Sequence, residues 1–259
     1  MVEGTLTFNA DMTEMFFARR RPKGSHNIYT SRFVAGSWTN PEPATFSRNE
    51  AILEFHPHIS PDGERLYFGS RRPLISAEEA PTLRQWYCKK TEDGWSSPMA
   101  MSAPFDGRFM MRSTAAHNGN LYFTSREAGQ KMQDEGIYRA INRAGKFELV
   151  EKLGDSINGI GKWTAHPYIA PDESYLIFDT ETRLDFEDCD LYVSFNKDGE
   201  WSQAQKLGPE INTELCEGGA TVSPDGKYLF FSRFNVNSGL SDFYWVSTSV
   251  IEKLRPQDF

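Results

Sequence analysis

The stretch from Glu217 to Thr248, EGGATVSPDGKYLFFSRFNVNSGLSDFYWVST, holds three short β-prone runs separated by a Ser-Pro-Asp-Gly turn and a polar loop. In such a turn Pro fixes φ at the corner, Asp accepts hydrogen bonds from the amides that follow, and Gly takes the positive-φ position. The same grammar recurs in EFHPHISPDGERLYFGSRR (Glu54 to Arg72) and WTAHPYIAPDESYLIFDTETR (Trp163 to Arg183). Weaker copies are GTLTFNADMTEMFFARR (Gly4 to Arg20) and STAAHNGNLYFTSR (Ser113 to Arg126), the latter with His-Asn-Gly in place of the Pro-Asp turn. The turn-entry residues Asn9, Ser60, Ala116, Ala170 and Ser223 lie 51, 56, 54 and 53 residues apart, so the chain is five copies of one unit.

Each copy goes on to a tyrosine, at Tyr29, Tyr87, Tyr138, Tyr192 and Tyr244, expected in equivalent third strands. Four copies then carry an aromatic in a turn-plus-strand segment, at Trp38, Trp95, Phe147 and Trp201. A period of about 40 to 50 residues with four short strands is the signature of propeller blades, which cannot bury their faces without neighbours. The expected fold is therefore all-β, a five-bladed β-propeller of four-stranded antiparallel blades in one domain, residues 1–259. Blade limits are expected near 1–50, 51–106, 107–159, 160–214 and 215–259. Blade five lacks the last segment, so it should show three strands, or a fourth supplied by the tail, where a helical turn is expected from Val250 to Leu254. The insert Ser76 to Gln85 is expected to form a loop.

A net charge of -8 and a sequence pI of about 5.2 remove the broad basic footprint of a nucleic-acid binder. Hydrophobic content of 39% supports inter-blade packing, and no window reaches the roughly 18 to 20 apolar residues of a membrane span. The first residues, MVEGTLTF, lack the basic and apolar regions of a secretory leader. That favours the cytoplasm, with a periplasmic or secreted location if a leader was removed. Cys88, Cys189 and Cys216 have no CxxC spacing and fall in different units, so three free thiols in a reducing compartment are expected.

SPDGERLYFGS, APDESYLIFDT and SPDGKYLFFSR, each followed by an aromatic strand, resemble the Pro-Asp propeller repeats of the TolB-like family over nearly the whole chain. The resemblance implies a β-propeller. It implies little about activity, since that family includes protein-binding propellers and sensors, and fold does not fix function.

Strand direction places the starts of first strands and the ends of second strands on one face, opposite the Pro-Asp turns. Two residue sets meet there. At the channel mouth Glu3, Glu54 and Glu217 occupy equivalent positions, where unit four has Thr164. Two residues deeper, on the same side by the period of two, lie His56 and His166, with Arg112 equivalent in unit three and Trp163 beside them. Glu3, Glu54, Glu217 and His166 are the catalytic candidates, and His56, Arg112 and Trp163 are ligand-binding candidates. The second set is a rim of arginines after the second strands: Arg19, Arg20, Arg21, Arg71, Arg72, Arg126, Arg183 and Arg233, of which Arg20, Arg71, Arg72 and Arg126 join the ligand-binding candidates. Forked guanidinium donors suit carboxylates and phosphates, or they pair with the mouth glutamates.

His58 and Tyr168 share a deeper position, and His26 and His117 sit in loops without an assigned role. No P-loop, HExxH, GxSxG or dinucleotide fingerprint occurs, so no cofactor or metal is expected. The leading expectation is a binding propeller for a small polar, anionic molecule or a protein segment. The alternative is a carbohydrate-active hydrolase or lyase using the mouth carboxylates and histidines.

Overall fold

The computed structural model describes residues 3–20, 25–74, 82–184 and 187–259. Five antiparallel sheets follow one another along the chain. Their inner three strands are Glu3–Phe8, Glu14–Arg20 and His26–Val34 in blade one, then Glu54–Ile59, Arg65–Ser70 and Arg84–Thr91 in blade two. Blade three has Phe109–Ala115, Leu121–Arg126 and Gly136–Arg143; blade four has Trp163–Ile169, Tyr175–Glu181 and Asp190–Lys197. Blade five has Cys216–Val222, Tyr228–Asn235 and Leu240–Ser247. Each first strand packs on the next, and that of blade five returns to blade one, which closes the ring of a five-bladed propeller. No helix among the described residues is long and apolar enough to cross a membrane.

The turn acids act on the backbone, as the repeat requires. Asp62, Asp172 and Asp225 accept the amides of Glu64, Ser174 and Lys227 two residues on, at 3.0 to 3.2 Å. A second recurring element is a second-strand phenylalanine directly opposite a third-strand aromatic: Phe17 with Tyr29, Phe68 with Trp86, Phe123 with Tyr138, Phe178 with Tyr192 and Phe231 with Tyr244. This register corrects the expected equivalence in blade two. Trp86 takes the repeat position, and Tyr87, on the same strand, is one residue out of step, because the period of two sends it to the other face.

Blades are tied to one another near the channel by side chains that accept the next blade's backbone amide. Thr7 accepts from Ile59 at 3.0 Å, His58 Nε2 from Ala115 at 2.9 Å, and Thr114 from Ile169 at 3.2 Å. Tyr168 likewise receives a backbone hydrogen bond from Val222. His58 and Tyr168 therefore belong to a ring of inter-blade locks, which satisfies strand amides that would otherwise be buried without partners.

Blade five ends at three strands. The tail forms a helical turn, Ser249–Glu252, and Ile251, Leu254 and Phe259 pack with Ile177, Val193 and Phe195 of blade four. Lys197 Nζ also donates to the Asp258 carbonyl at 2.7 Å. The tail thus fills the seam between blades four and five. Along the outer edge of Leu240–Ser247 no further strand pairs among the described residues, and Leu240, Tyr244 and Trp245 are exposed. Of the insert Ser76 to Gln85, residues 76–81 lie outside the described residues, and Arg84 and Gln85 already belong to the third strand.

The thiol expectation is overturned. Cys189 and Cys216 form a disulfide with Cα atoms 4.3 Å apart, and only Cys88 is free. Sequence distance misled, because Cys189 enters the third strand of blade four where the first strand of blade five begins. The Glu217 amide donates to the Cys189 carbonyl at 2.8 Å, which fixes that approach.

Candidate functional site

Every first strand carries a bulge at the same step, shown by register shifts between Glu3 and Leu6, Phe55 and His58, Met111 and Ser113, Ala165 and Tyr168, and Gly218 and Thr221. The bulge residues are Thr5, His56, Arg112, His166 and Gly219. Of these His56, Arg112 and His166 hold positive φ values of 55°, 43° and 50°, and Gly219 one of 66°. For a residue with a Cβ that conformation costs roughly 1 to 3 kcal/mol and persists only where the surroundings enforce it. Here the bulge re-aims the side chain towards the axis of the propeller.

His166 and His56 meet at the axis with ring centroids 4.7 Å apart. His166 Nδ1 lies 2.9 Å from Asp179 Oδ2, and the Gly219 amide donates to Asp179 Oδ1 at 3.2 Å. His56 Nδ1 shares a hydrogen bond with the Thr5 hydroxyl at 3.1 Å. Burial, reinforced by His166 and Arg112, holds the His56 imidazole well below its ordinary pKa, so it is neutral at pH 7. Trp163 meets His166 edge-on at 5.4 Å and donates Nε1 to Glu135 Oε2 at 2.9 Å. Arg126 pairs with the same Glu135 and lies over the Phe109 ring at 4.2 Å. Burial pushes the Glu135 carboxyl up against the pull of these partners.

Arg112 reaches from blade three across the axis. Its Nε donates to the Pro167 carbonyl at 3.2 Å and its Nη2 to the Ala220 carbonyl of blade five. Burial lowers its pKa to about 10, while Asp179 opposes the shift. On the rim side lies a cavity of about 600 Å³ bordered by Thr5, His56, His166, Asp179 and Gly219. On the turn side a smaller one of about 160 Å³ is lined by His58, His117, Tyr168 and the turn prolines. The two share no residue, and Arg112 lines neither.

The expected residues divide. His56, His166, Trp163 and Arg126 line the rim-side cavity, with Arg112 beneath. Glu54 and Glu217 do not. The bulge breaks the period of two between Glu54 and His56, so the carboxylates turn away from the axis. Glu54, 1% exposed, accepts from Arg72, Ser47 and Ser70, while Glu217, fully buried, accepts from Arg233 Nε at 2.7 Å and the Thr213 hydroxyl at 2.6 Å. Glu3 pairs through its backbone with Arg19, and its side chain lies outside the described residues, as does Arg21.

The arginine rim is largely committed. Besides Arg72, Arg126 and Arg233, Arg183 faces Asp188 at 3.3 Å, and Arg19 stacks on Phe17 and Tyr29. Arg20 and Arg71 are exposed. No group of three or more metal-ligating side chains occurs among the described residues.

Asp179 is the residue that the sequence reading missed. In the other blades its position holds Ala18, Gly69, Thr124 and Ser232. Thr124 shows the ordinary task there, accepting the His166 amide at 2.8 Å. Asp179 performs the same task towards Gly219 with one oxygen and keeps the other for His166. A single carboxylate among small residues in the aligned repeats was the available signal.

No protein-family model matches the chain, and no curated protein sequence does. Solved structures do. The xyloglucan PUL GH43B of Bacteroides ovatus matches with a TM-score of 0.57 and 13% identity over 95% of this chain and 53% of that one. TolB from Acinetobacter baumannii matches at 0.53 and 14% over 93% and 54%. The gluconolactonase XC5397 of Xanthomonas campestris matches at 0.52 and 12% over 95% and 76%. The chain spans about half the length of the first two. At these identities the likeness is one of fold.

Proposed function

We propose that the protein binds a small molecule in the rim-side cavity, with His56, His166 and Asp179 as its polar floor. The observation that carries this reading is the convergence of three strained bulges on one axis under a cavity large enough for a drug-sized ligand. A channel that only needed filling is served by Thr5 and Gly219 at the same step, without imidazoles at positive φ. The Ser-Pro-Asp-Gly turns support grouping the repeats with the TolB-like propellers, among which binding roles occur. A disulfide in the cavity wall suits an oxidising compartment better than the cytoplasm.

A second reading, hydrolysis, is favoured by one feature. Asp179 orients His166 through Nδ1 and leaves Nε2 as a candidate general base. It differs from a two-carboxylate glycosidase mechanism, because Glu54 and Glu217 are held in ion pairs.

Thermal-shift screening with monosubstituted benzenes, sugar acids and phosphorylated sugars tests the binding reading. A stabilising compound should lose its effect in His166→Ala and keep it in Trp245→Ala, on the distal edge strand. A stabiliser indifferent to His166→Ala and Asp179→Ala would place binding elsewhere.

A further inference from the structure

Above its floor the rim-side cavity is walled by Leu83, Phe109, Met111, Met132 and Phe234. The hydrogen-bonding groups of the floor are mostly committed. Asp179 uses one oxygen on Gly219 and the other on His166, Thr5 is joined to His56, and Ser232 donates to the Gly218 carbonyl at 3.1 Å. Two ring nitrogens, one on His56 and one on His166, form no hydrogen bond among the described residues, and the Ser232 oxygen keeps its capacity to accept. On the side wall Arg126 and Glu135 hold each other, and Arg126 further covers Phe109.

Each ligand hydroxyl buried without a partner costs about 1 to 3 kcal/mol. A polyhydroxylated sugar would strand several of its hydroxyls against the apolar walls. A charged head fares no better: Asp179 already uses both oxygens, and Arg112, held by the Pro167 and Ala220 carbonyls with its Nη1 buried and unpartnered, does not line the cavity.

Resting on the reading of this cavity as a ligand site, we infer that its ligand is amphipathic: an apolar, ring-sized body with one uncharged hydrogen-bonding head, such as a hydroxyl. The head meets the free ring nitrogens of His56 and His166 from the cavity side, since the rings themselves, 4.7 Å apart, are in contact. The body lies against Phe109, Met111 and Phe234, where apolar area removed from water contributes about 25 cal/mol per Å². This class departs from the anionic or carbohydrate ligand expected from the sequence, because rim arginines and mouth glutamates are paired with each other, as in Arg72 with Glu54 and Arg233 with Glu217.

Isothermal titration with probes built on one benzene ring and two further carbons separates the possibilities: 4-ethylphenol for a neutral head, phenylacetate for an anionic one, phenethylamine for a cationic one, with glucose and glucuronate as polar controls. The expected order has 4-ethylphenol at least tenfold tighter than either charged analogue and than both sugars. Met111→Asp and Phe234→Ala should each weaken it tenfold or more, the second serving if the first does not fold, while Trp245→Ala binds as the wild type does. Tighter binding of glucuronate, glucose or a charged phenyl probe, lost in His166→Ala, overturns the ligand class and leaves the site standing. If no probe binds, or if binding ignores His166→Ala, the cavity is not the site and the inference falls with it.

Discussion

His166 and Asp179 show how a repeat protein can gain a candidate site: one residue departs from the pattern at a position whose neighbours are already fixed. Asp179→Asn keeps an oxygen for the Gly219 amide and removes the charge that orients His166. Binding at the cavity should weaken several-fold while the urea midpoint stays close to wild type. A large loss of stability instead would mean that Asp179 serves the fold alone. His58 supplies a pH test. Burial first, and Arg112 second, lower its pKa from 6.5 to about 3. The unfolded chain therefore takes up a proton below pH 6.5 that the folded chain refuses, and stability falls as pH drops from 6.5 towards 3, by up to about 1.4 kcal/mol per unit. Urea unfolding at pH 7 and pH 5 should show a smaller acid loss in His58→Gln than in wild type; parallel losses would contradict the assignment. The histidines at the axis were legible in the sequence as residues. Their separation from Glu54 and Glu217 was not, because a one-residue bulge reverses facing and leaves no mark in composition.

At the scale of elements, the Pro-Asp turns and alternating runs fixed strand order because each depends on local chemistry. Inter-blade bonds depend on neighbours more than fifty residues away, as in Thr114 with Ile169 at a separation of 55, and no short window contains them. Thr114 also donates to the Pro167 carbonyl at 3.2 Å. Thr114→Val should cost about 1 to 3 kcal/mol by leaving a buried amide unpaired, and Thr114→Ser much less. Equal costs for the two would mean that packing of the methyl group, rather than the lock, matters there. The blade-two register was misplaced for a related reason: Trp86 and Tyr87 are adjacent aromatics, and only the cross-strand partner Phe68 decides which one carries the repeat.

For the whole molecule, ring closure brings together what the chain separates, and the Cys189–Cys216 disulfide is the plainest case. Thiol titration of the unfolded, unreduced chain should find one reactive cysteine, and three after reduction; three without reduction would refute the bond. A cross-link between residues 27 apart contributes about 3 to 4 kcal/mol in the chain-entropy model, so reduction should lower the unfolding temperature measurably. The central claim is that a small ligand sits on the floor made by His56 and His166. Its most direct test follows the ring nitrogens of the five histidines by ¹⁵N NMR while 4-ethylphenol is titrated in. The account predicts saturable shifts at His56 and His166, with His58 and His117, which line the other cavity, unmoved. Saturable binding that shifts His58 or His117 and leaves His56 and His166 unchanged would contradict it.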